Sequence, residues 1–208
     1  MSSDTKYLSL ARTAREEENT ADAAKYYDMV KVEDPNNAEA KFFSSYYAYW
    51  NATKGESCSK FNSFCKVVPS AVKLLVQNGD FYDVKLLEDF YFSAKDMPVV
   101  AHNVQVELWQ NAPDSEKSRY DKDKKYCGKI GTEMLYALGD AIESGVASNK
   151  EAMKVAVKAW KKGVELNQKW PYYGIDKGLV SKYAAKIQKY DSSYVVPKKA
   201  GCISFAKA

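Results

Sequence analysis

Residues 4–37 read DTKYLSLARTAREEENTADAAKYYDMVKVEDPNN, and the spacing inside this stretch decides the fold. Tyr7, Leu10, Ala11 and Ala14 recur at three- and four-residue steps, the period of one helix face. Asp4 stands ahead of them as a residue type that caps the free N–H groups of a first turn. The spacing predicts a helix from Asp4 to Glu18, broken at Asn19-Thr20. A second helix is expected from Ala21 to Glu33, with Ala23, Tyr27 and Val30 inward. Asp34-Pro35-Asn36-Asn37 ends it, because Pro cannot extend the hydrogen-bond ladder and Asn accepts turn geometry. Two helices joined by so short a turn must fold back on one another as an antiparallel hairpin.

The same period continues outward. A third helix is expected over Ala38–Lys54, closed by Gly55 and rich in aromatics from Phe42 to Trp50. Consecutive rings on a helix turn by ~100° per residue, so some of these must lie between hairpins or face outward. A fourth helix spans Ser57–Asn78 with an interruption near Pro69; Phe61, Cys65, Val68, Val72 and Leu75 keep one face. Gly79-Asp80 reads as a stop and a new cap, followed by a fifth helix, Phe81–Lys95, with Val84, Leu87, Tyr91 and Ala94 inward. Pro98 starts a sixth, to Asn111. The seventh, Ser115–Gly145, opens on polar Glu116–Lys125 as a solvated extension, and its buried part begins near Tyr126 and uses Ile130, Met134, Leu138 and Ile142.

Ser148-Asn149-Lys150-Glu151 has the form of a capping box for an eighth helix. Its stripe is Ala152, Val155, Ala156, Ala159, Trp160, Gly163 and Val164, and Trp170-Pro171 ends it. A ninth, Asp176–Tyr190, packs Leu179, Tyr183, Ile187 and Tyr190; residues 191–208 read as a linker-like or loosely docked tail. No strand alternation is sustained anywhere. The expectation is an all-α chain of about nine helices in stacked antiparallel hairpins, one domain over 1–190 with a subdivision near 113.

The hairpin at Tyr7, Leu10, Ala11, Ala14, Ala23, Tyr27, Val30 and Pro35 resembles a tetratricopeptide repeat. Small Ala11 and Ala23 allow close approach of the two helices, and Pro35 turns the chain toward the next pair. One period later the key positions hold Lys41, Ser44, Ser45 and Ala48, while Ala156, Trp160 and Gly163 keep part of the pattern. Tyr7–Phe43 is also similar to bacterial proteins that join such a helical body to a zinc ribbon, whose cysteines do not occur here. The resemblance implies a right-handed solenoid that binds a protein or peptide partner along a groove. By that resemblance Thr5, Leu8, Arg12, Arg15 and Glu16 face the groove. Leu8 and Arg12 stand where the subtype that clamps a C-terminal carboxylate needs Lys and Asn, which argues against that ligand. Solvated arginines paired with the nearby Glu16, Glu17 and Glu18 are the plain alternative.

Composition removes whole classes of function. Of 208 residues, 46% are hydrophobic and 28% charged, the balance of a globular chain. No apolar run approaches the ~20 residues of a membrane span, and the opening Met1–Lys6 lacks the form of a secretory signal. Cys58, Cys65, Cys127 and Cys202 form no metal-ligand spacing. Cys58 and Cys65 are two helical turns apart, too far for a disulfide, so a reducing, cytoplasmic setting is expected. His102, the sole histidine, reads as a half-buried helix residue, and no nucleophile motif accompanies it. Gly128-Lys129-Ile130-Gly131-Thr132 lacks the hydroxyl residue a phosphate loop needs after its Lys. No cofactor, metal or catalytic group is expected, and the chain reads as a non-enzymatic interaction module.

Charge supplies a second reading. The net charge of +4 divides into −3 over residues 1–104 and +7 over 105–208. Lys154, Lys158, Lys161, Lys162 and Lys186 would form a patch for an anionic partner, nucleic acid or an anionic surface, if left unneutralised. The alternative is a solvated lysine face.

Overall fold

The computed structural model describes residues 6–77, 84–170 and 176–197, and the described residues hold helices and no strand. The order is α1 (Lys6–Glu16), α2 (Thr20–Glu33), α3 (Ala38–Trp50), α4 (Ser57–Gln77), α5 (Val84–Ala94), α6 (Met97–Asn111), α7 (Asp114–Val146), α8 (Lys150–Lys169) and α9 (Lys177–Tyr190). The expected Asp4 cap, Thr5, Asn78, the Gly79-Asp80 stop, the Phe81 start, the Pro171 end and residues 198–208 lie outside the described residues.

Local chemistry sets most boundaries. α1 stops two residues early, because Glu18 takes a left-handed φ of 58° and Asn19 then caps α2 through the N–H of Asp22. Asn37 caps α3 and Asp176 caps α9 in the same way. α3 ends at Trp50 rather than near Gly55, and Thr53 and Glu56 close a separate turn before α4. Asn149, not Ser148, caps α8, accepting from the N–H groups of Glu151 and Ala152 at 3.1 Å; the capping box is displaced by one residue. α4 runs through Pro69 without ending. Its buried residues Phe61, Phe64, Val68, Val72 and Leu75 hold it between neighbours, and that packing outweighs the lost ladder bond.

Side-chain pairings give the directions. Tyr49 meets Phe61, and Phe42 and Tyr46 meet Phe64, so α3 and α4 are antiparallel. Tyr136 lies against Gly163 and Trp160 against Gly139, so α7 and α8 are antiparallel. Pro98 lies against Gly131, and Trp109 against Lys117 and Lys124, so α6 and α7 are antiparallel too. α4 behaves differently: Cys58 touches Cys127, Phe61 approaches Gly131 and Val76 approaches Gly145, an alignment that makes α4 and α7 parallel. α9 also runs parallel to α7, with Tyr183 bonded to Asp140 and Tyr190 to Glu143. α1 through α4 therefore stack in chain order, but α4 then lies mainly along α7, not α5. α7 is the central post, bordered by α4, α6 and α8.

Close helix approaches rest on glycines of α7 and α8, of which Gly139 and Gly163 form the α7–α8 crossing. A methyl group at Gly163 would sit 2.6 Å from the Tyr136 ring, and one at Gly139 would sit 2.6 Å from Cδ1 of Trp160. Nothing larger than hydrogen fits at either crossing. The inward stripe expected for α8 is buried throughout, as are Ala23, Tyr27 and Val30 of α2. The aromatic run of α3 divides: Phe42, Phe43, Tyr47 and Tyr49 are buried, Tyr46 is half-buried, and Trp50 is exposed. Phe42 stacks on Phe90 of α5 at 4.1 Å and meets Phe64 of α4 edge-on.

Burial in α7 begins at Cys127, beside the exposed Tyr126. Of the two readings of the tail, its described part shows docking. Asp191 accepts from Lys161 at 2.7 Å, the Tyr194 carbonyl accepts from Gln188, and Tyr194 and Val196 pack on the core.

Candidate functional site

α1, α3 and α5 converge on a cleft of roughly 230 Å³ lined by Arg12, Arg15, Glu16, Glu39, Lys85, Leu86 and Asp89. Its floor is a set of paired charges. Glu39, in the first turn of α3 and 4% exposed, accepts from Arg12 Nε at 3.0 Å and Nη2 at 2.7 Å. Its second oxygen accepts from the Tyr27 hydroxyl at 2.8 Å. Burial, reinforced by the Glu39 charge, pushes the Tyr27 hydroxyl pKa up, so this phenol stays a donor. The helix N-terminus adds favourable potential for the carboxylate. Arg15 lies flat over Phe43, 4.4 Å from the ring centre, and donates from Nη2 to Asp89 at 3.0 Å. Its Nη1 is buried with no hydrogen-bond partner among the described residues.

The rim differs from the floor. Glu16 and Lys85 are exposed, and among the described residues neither has an ion-pair partner. The cleft thus carries one exposed acidic and one exposed basic side chain, Glu16 of α1 and Lys85 of α5, beside a floor of paired charges.

Arg12, Arg15 and Glu16 line one cleft. The partners of the arginines are Glu39 and Asp89, 27 and 74 residues away, not the neighbouring Glu16, Glu17 and Glu18. Leu8 does not line the groove: it is 2% exposed and belongs to the core, because α1 is rotated so that Leu8, Ala11 and Ala14 face inward while Tyr7 and Leu10 are half-buried. Thr5 lies outside the described residues. Lys85 and Glu39 were invisible as site residues, since nothing in sequence spacing links them to α1.

The lysine stripe is present but neutralised. Lys154 pairs with Glu151 at 2.7 Å, Lys158 with Glu88 at 3.2 Å, and Lys161 with Asp191 at 2.7 Å. Lys162 lies 3.2 Å from Glu165 and 3.6 Å from Asp96. Lys186 donates to Asp140 at 2.9 Å and Glu143 at 2.6 Å, in a network shared with Trp160, Tyr183 and Tyr190. Exposed pairs of this kind are worth ~0–1 kcal/mol each, yet they cancel the long-range field an anionic polymer would follow.

No protein-family model, no curated protein and no solved structure matches this chain. Among the described residues no helix is long and apolar enough to cross a membrane, and no three metal-ligating side chains gather.

His102 is half-buried in α6, its ring 5.3 Å from that of Trp170, with Nδ1 3.3 Å from the Lys124 carbonyl. Burial lowers its pKa; the Lys124 carbonyl opposes this, while the Lys124 and Lys169 charges add to it. A lowered folded-state pKa means the unfolded chain takes up a proton first as pH falls. Stability is expected to decline as pH drops from the unfolded value, about 6.5, toward the lower folded value. Unfolding midpoints between pH 8 and pH 5 check this: His102→Gln should flatten that part of the profile relative to the parent chain.

Proposed function

We propose that the chain is a non-enzymatic, tetratricopeptide-like interaction module that holds a peptide segment of a protein partner in the cleft between α1, α3 and α5. The observation that carries the reading is the pair of exposed charges, Glu16 and Lys85, which have no ion-pair partner among the described residues and line the same cleft as the paired Arg12–Glu39 and Arg15–Asp89. Floor charges in mutual contact fix the shape of the cleft before a partner arrives, which lowers the ordering cost of binding. Rim charges of opposite sign suit a segment with a basic side chain on one side and an acidic group on the other. The orphaned Nη1 of Arg15 adds a donor that a small adjustment would offer to an incoming carbonyl. The anionic-polymer reading stands second, because Lys154, Lys158, Lys161, Lys162 and Lys186 all have carboxylate partners. A cytoplasmic setting accords with Cys58, Cys65 and Cys127 held as free thiols.

The test is a peptide selected by display against the full chain, with its affinity measured for Lys85→Glu and Glu16→Lys. Both positions are exposed, so circular dichroism should stay unchanged. Each reversal is expected to weaken binding about tenfold, the equivalent of ~1.4 kcal/mol. Unaltered affinity in both variants means that the cleft is not the site.

A further inference from the structure

Cys58 and Cys127 are 69 residues apart, on parallel helices, and their sulfurs stand 3.6 Å from each other. The two thiols differ in every respect that governs reactivity. Cys127 is fully buried in α7; Cys58 is half-buried and is the second residue of α4. A thiolate there lies at the positive end of a 21-residue helix. Cys58 lines a second cleft, of roughly 230 Å³, with Lys54, Asn62, Gln105, Arg119 and Tyr126 among its walls. Gln105 is itself held, donating to Ser57 at 2.8 Å. The hydrogen bond from the Cys127 thiol lowers the Cys58 pKa most; burial and the Asp123 charge oppose it, and the Arg119 charge adds to it. The same bond, with burial, raises that of Cys127, so the proton stays on the inner sulfur. Cys65, buried on the same helix, has its thiol pushed up by burial and lacks this arrangement.

We propose that Cys58 and Cys127 form a reversible dithiol–disulfide couple, oxidised by a small peroxide that enters the cleft between α4 and α7. The Cys58 thiolate attacks one peroxide oxygen. The S–O bond forms as the O–O bond breaks, the departing hydroxide takes a proton to become water, and Cys58 is left as a sulfenic acid. The Cys127 sulfur then attacks the Cys58 sulfur; the S–S bond forms, the S–O bond breaks, and the hydroxide leaves with the Cys127 proton as a second water. Two electrons pass from the two sulfurs to the peroxide, and a dithiol reductant returns them by exchange. Closing from 3.6 Å to the bonded distance of about 2.05 Å needs a sulfur approach of ~1.6 Å. The cross-link joins α4 to the central helix α7.

The experiment treats the full chain with hydrogen peroxide at equimolar dose and follows it by intact mass and peptide mapping. The expected product has lost two hydrogens, with a Cys58–Cys127 linked peptide that dithiothreitol abolishes. In Cys127→Ser, a sulfenic acid at Cys58 should be trapped by dimedone; in Cys58→Ser, neither linked peptide nor adduct should form at Cys127. With iodoacetamide, native Cys58 should be alkylated at least about tenfold faster than Cys65 or Cys127. Oxidation first at Cys65 or Cys202, a bond between chains instead of within one, or no dimedone adduct at Cys58 in Cys127→Ser would overturn the proposal.

Discussion

Trp160→Ala is expected to remove about 3–5 kcal/mol of folding stability, the largest loss of any single truncation considered for this chain. The indole is wholly buried and fills the crossing of α8 with α7, its ring seated on the bare backbone of Gly139. No neighbour can fill the void: Gly139 carries no side chain, and Tyr183 and Tyr190 are tied by their hydroxyls to Asp140 and Glu143. Trp160 Nε1 also donates to Asp140 at 3.1 Å, and Lys186 lies 5.0 Å over the ring. Trp160→Phe keeps most of the volume and leaves Asp140 two other donors, so its cost should be about 1–2 kcal/mol. For a chain of this size the alanine variant should melt roughly 6–20 °C lower, measured by calorimetry beside urea unfolding. An alanine variant that melts within a degree or two of the parent would mean that α7 and α8 do not cross where described.

Glu39→Ala is expected to cost about 2–3 kcal/mol. It strips the acceptor from the fully buried Tyr27 hydroxyl and from two nitrogens of Arg12. Loss of a partner from a fully buried ion pair reaches ~3–5 kcal/mol; here Arg12 keeps 40% exposure, so water relieves part of the penalty. Arg12→Ala leaves the Glu39 carboxylate buried with Tyr27 and the α3 N-terminus as support. The double variant should therefore cost less than the two single ones together, with a coupling of at least about 1 kcal/mol in a urea-unfolding cycle. Additive losses would mean that the Arg12–Glu39 contact is incidental.

These two positions show what the sequence could and could not disclose. Trp160 was legible, because Ala156, Trp160, Gly163 and Val164 recur at helical spacing and so announce a buried stripe. Glu39 was not: an acidic residue in a first helical turn reads as a cap or a surface group, and its partners lie on two other helices. Period identifies faces, and it placed the inward residues of α2, α4 and α8 well. It cannot identify which helix each face meets. That is why the parallel alignment of α4 with α7, and with it the Cys58–Cys127 contact, had no signature. Pro69 misled for a related reason, since the packing around α4 overrides a local preference for a break. Leu8 misled because three apolar or small residues, Tyr7, Leu8 and Leu10, compete for one narrow stripe, and the choice belongs to the neighbouring helices. The lysines were legible as a stripe but not as ion pairs, whose carboxylates come from α5, α7 and the segment after α9 as well as from α8 itself.

The most direct measurement of the functional account is a crystal structure of the full chain with the display-selected peptide. The account predicts the peptide lying across α1, α3 and α5, with a basic group within hydrogen-bond distance of Glu16 and an acidic group within that distance of Lys85. A peptide seated elsewhere, along the Lys154–Lys162 face or in the cleft at Cys58, with Glu16 and Lys85 still facing solvent, would contradict it.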